Sequence, residues 1–135
     1  MGFQSLVEVS LNEEGLFFNL KGDREGVLIG KHGRTLDSLQ FLFNRMVNKR
    51  LKENIKVFLD INGYKARRID SLTKMALRLG EKVKREGQPL AIGPYTPHDR
   101  RIIHLALKND PAIETVSLGD GEMKKIRILP KSKGL

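Results

Sequence analysis

The chain has 135 residues, 39 % of them hydrophobic, which suffices for one ordinary domain or two small ones with a buried core. Without cysteine there is no disulfide framework, thiolate metal site or cysteine nucleophile, and without a membrane-length apolar run or a signal pattern a soluble, cytoplasmic protein is expected. Twenty-five Lys and Arg against sixteen Asp and Glu give a net charge of +9, a field that draws polyanions: nucleic acid first, an anionic membrane surface second.

Val7, Val9 and Leu11 alternate with Glu8 and Ser10, and Leu16, Phe18 and Leu20 repeat the period of two across the turn-like Asn12-Glu13-Glu14-Gly15. This predicts a hairpin with one buried face. Asp23 is placed to cap a short helical turn that Gly30 stops. The period then changes: Leu36, Leu39, Phe43, Met46 and Val47 make a helical stripe over about 34–50, with Asn44, Arg45, Asn48 and Lys49 off it. Alternating Ile55, Val57, Leu59 and Ile61 predict a third strand, closed by Asn62-Gly63. A long helix over about 64–86 follows, with Ile69, Leu72, Met75, Ala76, Leu79 and Val83 as its apolar face. Residues 89–92 suit a short strand. Thr96 as N-cap, Pro97 at the first helical position and Asp99 in the first turn start a helix to about Lys108. Strands at about 113–118 and 124–129 close the chain, joined at Gly119-Asp120-Gly121, with residues 131–135 as a mobile tail. The reading is an α+β chain of two small domains, 1–63 and 64–135.

Gly30-Lys31-His32-Gly33 joins the two helices of the first domain. Glycine lets a backbone turn sharply and approach a ligand without a Cβ in the way. The second helix turns its unpaired N–H groups and positive dipole end toward this loop, and Lys31, His32 and Arg34 add cationic or donor groups. Such a place suits phosphate. It is no nucleotide-binding P-loop: only three residues separate Gly26 from Gly30, and His32 stands where that motif needs Ser or Thr. A helix–helix turn with incidental charge remains the plain structural alternative.

Arg100 and His104 stand four apart on the Thr96-capped helix and therefore share a face, where a guanidinium and an imidazole can hold a phosphate between them.

The first half resembles a KH domain, whose GxxG loop clamps the backbone of a short single strand. The resemblance implies that Gly30, Lys31, His32 and Gly33 contact phosphates, with Arg34 beside them. It makes Val27, Leu28, Ile29 and Leu36 the lining or support of an apolar groove floor, and the 55–61 strand the facing wall. Residues 1–5 are too short for the helix that usually leads this variant of the fold. "PYTPHDRRIIHLALKNDPAIETVSLGDGEMKKIRILP" is similar throughout to the R-three-H domain, named for its Arg-x-x-x-His spacing, which binds single-stranded nucleic acid. Arg100 and His104 inherit the signature role there, with Arg101, Lys124, Lys125 and Arg127 as basic neighbours. The two in this order resemble the bacterial Jag family (SpoIIIJ-associated protein, KhpB). That implies single-stranded RNA as partner, with single-stranded DNA an open competitor, and a role in regulating cell elongation and envelope assembly. It also implies a small single-KH protein as a companion. Homo-oligomerisation is open. Many members carry a further N-terminal domain and linker, so functions needing that domain are not assigned.

No catalytic residue, cofactor or metal is expected. None of His32, His98 and His104 belongs to a His-Glu-x-x-His motif, and no serine sits in a Gly-x-Ser-x-Gly elbow. Two alternatives remain: a basic membrane-surface or protein-interaction module using the cationic 64–86 helix, and a phosphodiesterase with His104 as acid or base beside Arg100.

Overall fold

The computed structural model describes residues 6–22 and 25–131, the side chains of Glu25 and His32 apart. The Asp23 cap and residues 132–135 lie outside the described residues. The chain divides into two compact units, Met1–Ala66 and Arg67–Leu135.

In the first unit, β1 (Leu6–Asn12) and β2 (Gly15–Lys21) form an antiparallel hairpin from Leu6↔Lys21 to Asn12↔Gly15. The Asn12 carboxamide closes its turn by accepting from the Glu14 and Gly15 N–H groups at 2.8 and 3.3 Å. Then come α1 (Glu25–Ile29), a 3-10 turn at Lys31–Gly33, α2 (Arg34–Leu51) and β3 (Val57–Ile61). β3 pairs parallel with β2, so the sheet order is β1-β2-β3. A parallel pair needs a crossover, and the helix pair supplies it. Ile29, Leu36, Leu59 and Ile61 form the core, with Phe18, Leu20, Leu28, Leu39 and Tyr64 packed around them. On the opposite sheet face the Phe17 and Phe58 rings stack at 4.6 Å.

Two expectations change here. Every residue of β1 is exposed, so the hairpin's buried face belongs to β2 alone. On α2, Met46 is 66 % exposed, whereas Asn44 and Asn48, expected off the buried stripe, turn inward. The cause is the outer edge of β3. Its Leu59 and Val57 N–H groups donate to Gln40 Oε1 and Asn44 Oδ1, both at 3.0 Å. Just ahead of it, Ile55 N–H donates to Asn48 Oδ1 at 2.6 Å, while Asn48 Nδ2 donates to the Ile55 carbonyl at 2.7 Å. Three carboxamides one turn apart thus do for this edge what a fourth strand would do.

In the second unit, α3 (Tyr64–Glu86, its first residues counted with the first unit) precedes β4 (Leu90–Tyr95), α4 (Pro97–Leu107), β5 (Ile113–Leu118) and β6 (Lys124–Pro130). The sheet is antiparallel in the order β4-β6-β5. β4 runs past the expected end at Ile92 to Tyr95, its register shifting where Gly93-Pro94 interrupts the ladder. Leu72, Ala76 and Val83 of α3, Ile102, Ile103 and Leu107 of α4, and Ile113, Ile126 and Ile128 of the sheet form one core. Ile69 is exposed instead, since the buried face of α3 starts at Leu72. A Cβ on Gly80 would lie 2.9 Å from Leu107 and 3.0 Å from Ile113, which is why the tightest point of α3 carries no side chain. Thr96 caps α4 as expected, its Oγ1 accepting from the Asp99 N–H at 3.3 Å. Lys131, assigned to a mobile tail, is anchored: its N–H donates to the Ala112 carbonyl at 2.7 Å.

Asn48→Ala strands the Ile55 N–H and C=O. It is expected to destabilise the protein by about 1–3 kcal/mol, read as a lower urea midpoint at unchanged slope.

Candidate nucleic-acid interface

The loop between α1 and α2 is built by its two glycines. Gly30 has φ 73° and Gly33 φ 76°, both in the left-handed region that other residues avoid. A Cβ on Gly30 would strike the Thr35 side chain, and one on Gly33 would lie 2.9 Å from the Tyr64 ring. Both glycines are therefore demanded by conformation and by space. Gly33 is the N-cap of α2 and offers no side-chain cap, while the Arg34 N–H donates to the Lys31 carbonyl of the preceding turn. The positive end of an 18-residue helix thus opens at the loop, with Lys31 and Arg34 exposed beside it. Asp37 is the acid of that first turn.

The expected groove residues separate. Val27 is 72 % exposed and Leu28 half-buried, but Ile29 and Leu36 belong to the core and can only support a floor from beneath. At the strand expected as the facing wall, α2 already takes the N–H groups of Ile55, Val57 and Leu59.

In the second unit Arg100, Arg101, His104 and Lys124 line one open concavity of about 790 Å³. Lys125 and Arg127 are not among its lining residues. Strand alternation turns Lys124, Ile126 and Ile128 to one face of β6 and Lys125 and Arg127 to the other. Sequence reasoning missed four residues of this site: Lys108, Lys131, Thr115 and Ser117. The period of two in β5 contained the signal for Thr115 and Ser117, which point the same way.

Arg100 is only 9 % exposed. Its neighbour Asp99, 2 % exposed, is committed elsewhere: Arg68 donates to its Oδ2 at 2.8 Å. Among the described residues no ion pair or side-chain hydrogen bond to the Arg100 guanidinium is formed. A largely buried cation without a counter-charge is costly unless an anion joins it. His104 Nδ1 is hydrogen-bonded with Thr115 Oγ1 and Nε2 with Ser117 Oγ at 3.1 Å. Burial, and secondly the charge of Arg100, hold the His104 imidazole below its ordinary pKa.

Two family models match the chain: the KhpA/KhpB KH domain over residues 4–61 and the R-three-H domain over residues 70–130. The RNA-binding protein KhpB of Clostridium symbiosum is 43 % identical over 122 residues, covering 90 % of this chain and 55 % of that protein. The chain belongs to the KhpB (Jag) family. Its KhpB relative from Bacillus subtilis is 28 % identical over 130 residues, covering 95 % of this chain and 62 % of its own. The one from Lactiplantibacillus plantarum is 29 % identical over 119 residues, covering 88 % and 37 %. The chain thus spans roughly a third to three-fifths of the length of these KhpB proteins. Among the described residues, no helix is long and apolar enough to cross a membrane, and no three His, Asp or Glu cluster as a metal site.

His104 is expected to titrate below the ordinary imidazole value of 6.5, followed through its ring protons by NMR. Since the unfolded chain takes up this proton at higher pH than the folded one, stability contributed by neutral His104 is complete above the unfolded value. It declines as pH falls from there toward the folded value. His104→Gln removes that dependence.

Proposed function

We propose that this KhpB-family chain binds single-stranded RNA at two small cationic sites, the Gly30–Arg34 loop and the Arg100/His104 concavity, each taking backbone phosphate. The observation that carries the reading is Arg100: a residue 9 % exposed that lines the concavity and has no ion pair among the described residues. In the first unit the α2 N-terminus, without a side-chain cap and beside Lys31 and Arg34, supports the same chemistry. The relatives' name, RNA-binding protein, supports RNA as the polymer. Linking two weak sites in one chain makes the second contact intramolecular and raises overall affinity. Arg101, Lys108, Lys124 and Lys131 extend the second site; Lys125 and Arg127, on the other sheet face, serve as general electrostatic attraction.

Sequence preference should be modest: the chain has no Trp and two Tyr for stacking, and the Val57 and Leu59 N–H groups of β3 are already taken by α2. The resemblance extends the reading to a cytoplasmic post-transcriptional regulator in cell elongation and envelope assembly. A KH model shared between KhpA and KhpB supports a small single-KH companion.

Fluorescence anisotropy with a labelled single-stranded RNA, its DNA counterpart and a duplex tests the proposal. With about four to six phosphates neutralised, log affinity should fall with log salt at a slope of roughly −3 to −4, about a hundredfold between 50 and 200 mM. Lys31→Asp/Arg34→Asp and Arg100→Ala/His104→Ala should each weaken single-strand binding at least tenfold while leaving the circular dichroism spectrum unchanged. Equal binding to all three polymers, unaltered by either pair, would mean that the +9 charge acts diffusely.

A further inference from the structure

The face of α2 opposite the buried Leu36 carries a regular row. Arg34, Ser38, Phe41, Arg45 and Lys49 follow one another at steps of four, three, four and four residues, which sets them along one line of a 3.6-residue helix. All five are exposed. The row begins at the candidate phosphate loop, since Arg34 is the first residue of α2, directly after Gly33. The rise is about 10.5 Å from Arg34 to Phe41 and about 6 Å from Phe41 to Arg45. All three therefore lie within reach of one extended strand.

An aromatic ring stands in the middle of this row. Phe41 is 62 % exposed, and the Arg45 guanidinium lies over its ring, 5.9 Å from the centroid. A guanidinium so placed engages one face of the ring and leaves the other to solvent. The neighbours of Phe41 on the helix surface, three and four residues away, are Asp37, Ser38, Asn44 and Arg45, all polar. Asp37, the one acid of the four, interacts electrostatically with Lys65. Leu42 and Met46 are exposed too, but lie ~100° or more further round the helix. Phe41 is thus a lone aromatic among polar groups, not the centre of an apolar docking face. An exposed ring in line with cations is the composition of a single-strand surface, in which the cations track the backbone and the ring stacks a base.

We propose that the outer face of α2 carries the single strand away from the Gly30–Gly33 loop, with one nucleobase stacked on Phe41 and the flanking phosphates at Arg34 and Arg45. This rests on the RNA-binding reading above and adds a base contact to it. Arg45 has two parts, fixing the ring through its cation–π contact and neutralising a phosphate. Lys49 extends the row by one further turn. The short side chain of Ser38 leaves space beside the ring for a base. Every base has a π-face, so the contact adds affinity and register without sequence preference.

The test is fluorescence anisotropy of the full chain with a labelled single-stranded RNA across a salt series. Phe41→Ala should weaken binding about five- to thirtyfold with the salt slope unchanged, because a base contact releases no counterion. Arg45→Gln should reduce that slope by about one. Phe41→Leu keeps an apolar side chain without a ring face and should lose as much as Phe41→Ala. Phe41→Trp should retain affinity. The chain has no tryptophan of its own, so the indole emission of that variant reports this position alone and should be quenched by the RNA. Full affinity in Phe41→Ala or Phe41→Leu, with binding still weakened by Lys31→Asp/Arg34→Asp, overturns the base contact and leaves the phosphate loop standing. Unquenched indole emission from a saturated chain overturns it as well. So does a loss in Phe41→Ala that accompanies a change in particle mass by light scattering, which would mark the ring as a protein contact. A wild-type chain without affinity for the single strand removes both readings together.

Discussion

Three carboxamides on one helix set the geometry of the first unit. Because Gln40, Asn44 and Asn48 recur at single-turn intervals and each meets the backbone of β3 or its approach, α2 lies along that strand at a fixed rotation and depth. Everything nearer its N-terminus follows from this. Leu36 is pressed into the core, Gly33 comes against the Tyr64 ring with no room for a Cβ, and the turn without a side-chain cap opens outward at Lys31 and Arg34. The helix covers one sheet edge, and at the other edge all seven residues of β1 are exposed.

The second unit reaches its cationic site by a different route, the allocation of a carboxylate. Asp99 is almost wholly buried and pairs with Arg68, an arrangement whose disruption would leave an uncompensated buried charge. Arg100, one residue on, is only 9 % exposed and lines the concavity. Thr115 and Ser117 then hold the His104 ring in the same concavity. The Arg-x-x-x-His spacing brings two groups to one helix face. The strand hydroxyls are what hold the imidazole.

Much of this was legible in the linear chain. Period changes located the strands and helices, Thr96-Pro97-His98-Asp99 marked the start of α4, and the two glycines around Lys31 and His32 marked the loop. Faces proved harder. Asn44 and Asn48 read as solvent-facing because polar residues usually are; they turn inward because a strand edge with unmet N–H groups lies opposite. Val7, Val9 and Leu11 alternate as a half-buried strand does, yet all three are exposed, because the core gathers over β2 and β3.

The sequence alone therefore determined the kinds of element, their order and the two motif positions. Those depend on local quantities: periodicity, capping chemistry and the backbone freedom of glycine. Tertiary structure decided which polar groups are satisfied from within and which are left for a ligand. It buried Arg100, assigned Asp99 to Arg68, added Lys108 and Lys131 to the concavity, and put Lys125 and Arg127 on the opposite sheet face. The physical reason is that hydrogen bonding and charge pairing are settled between partners far apart in the chain. A residue's own neighbours in sequence say which way it can point, but not what will be waiting there.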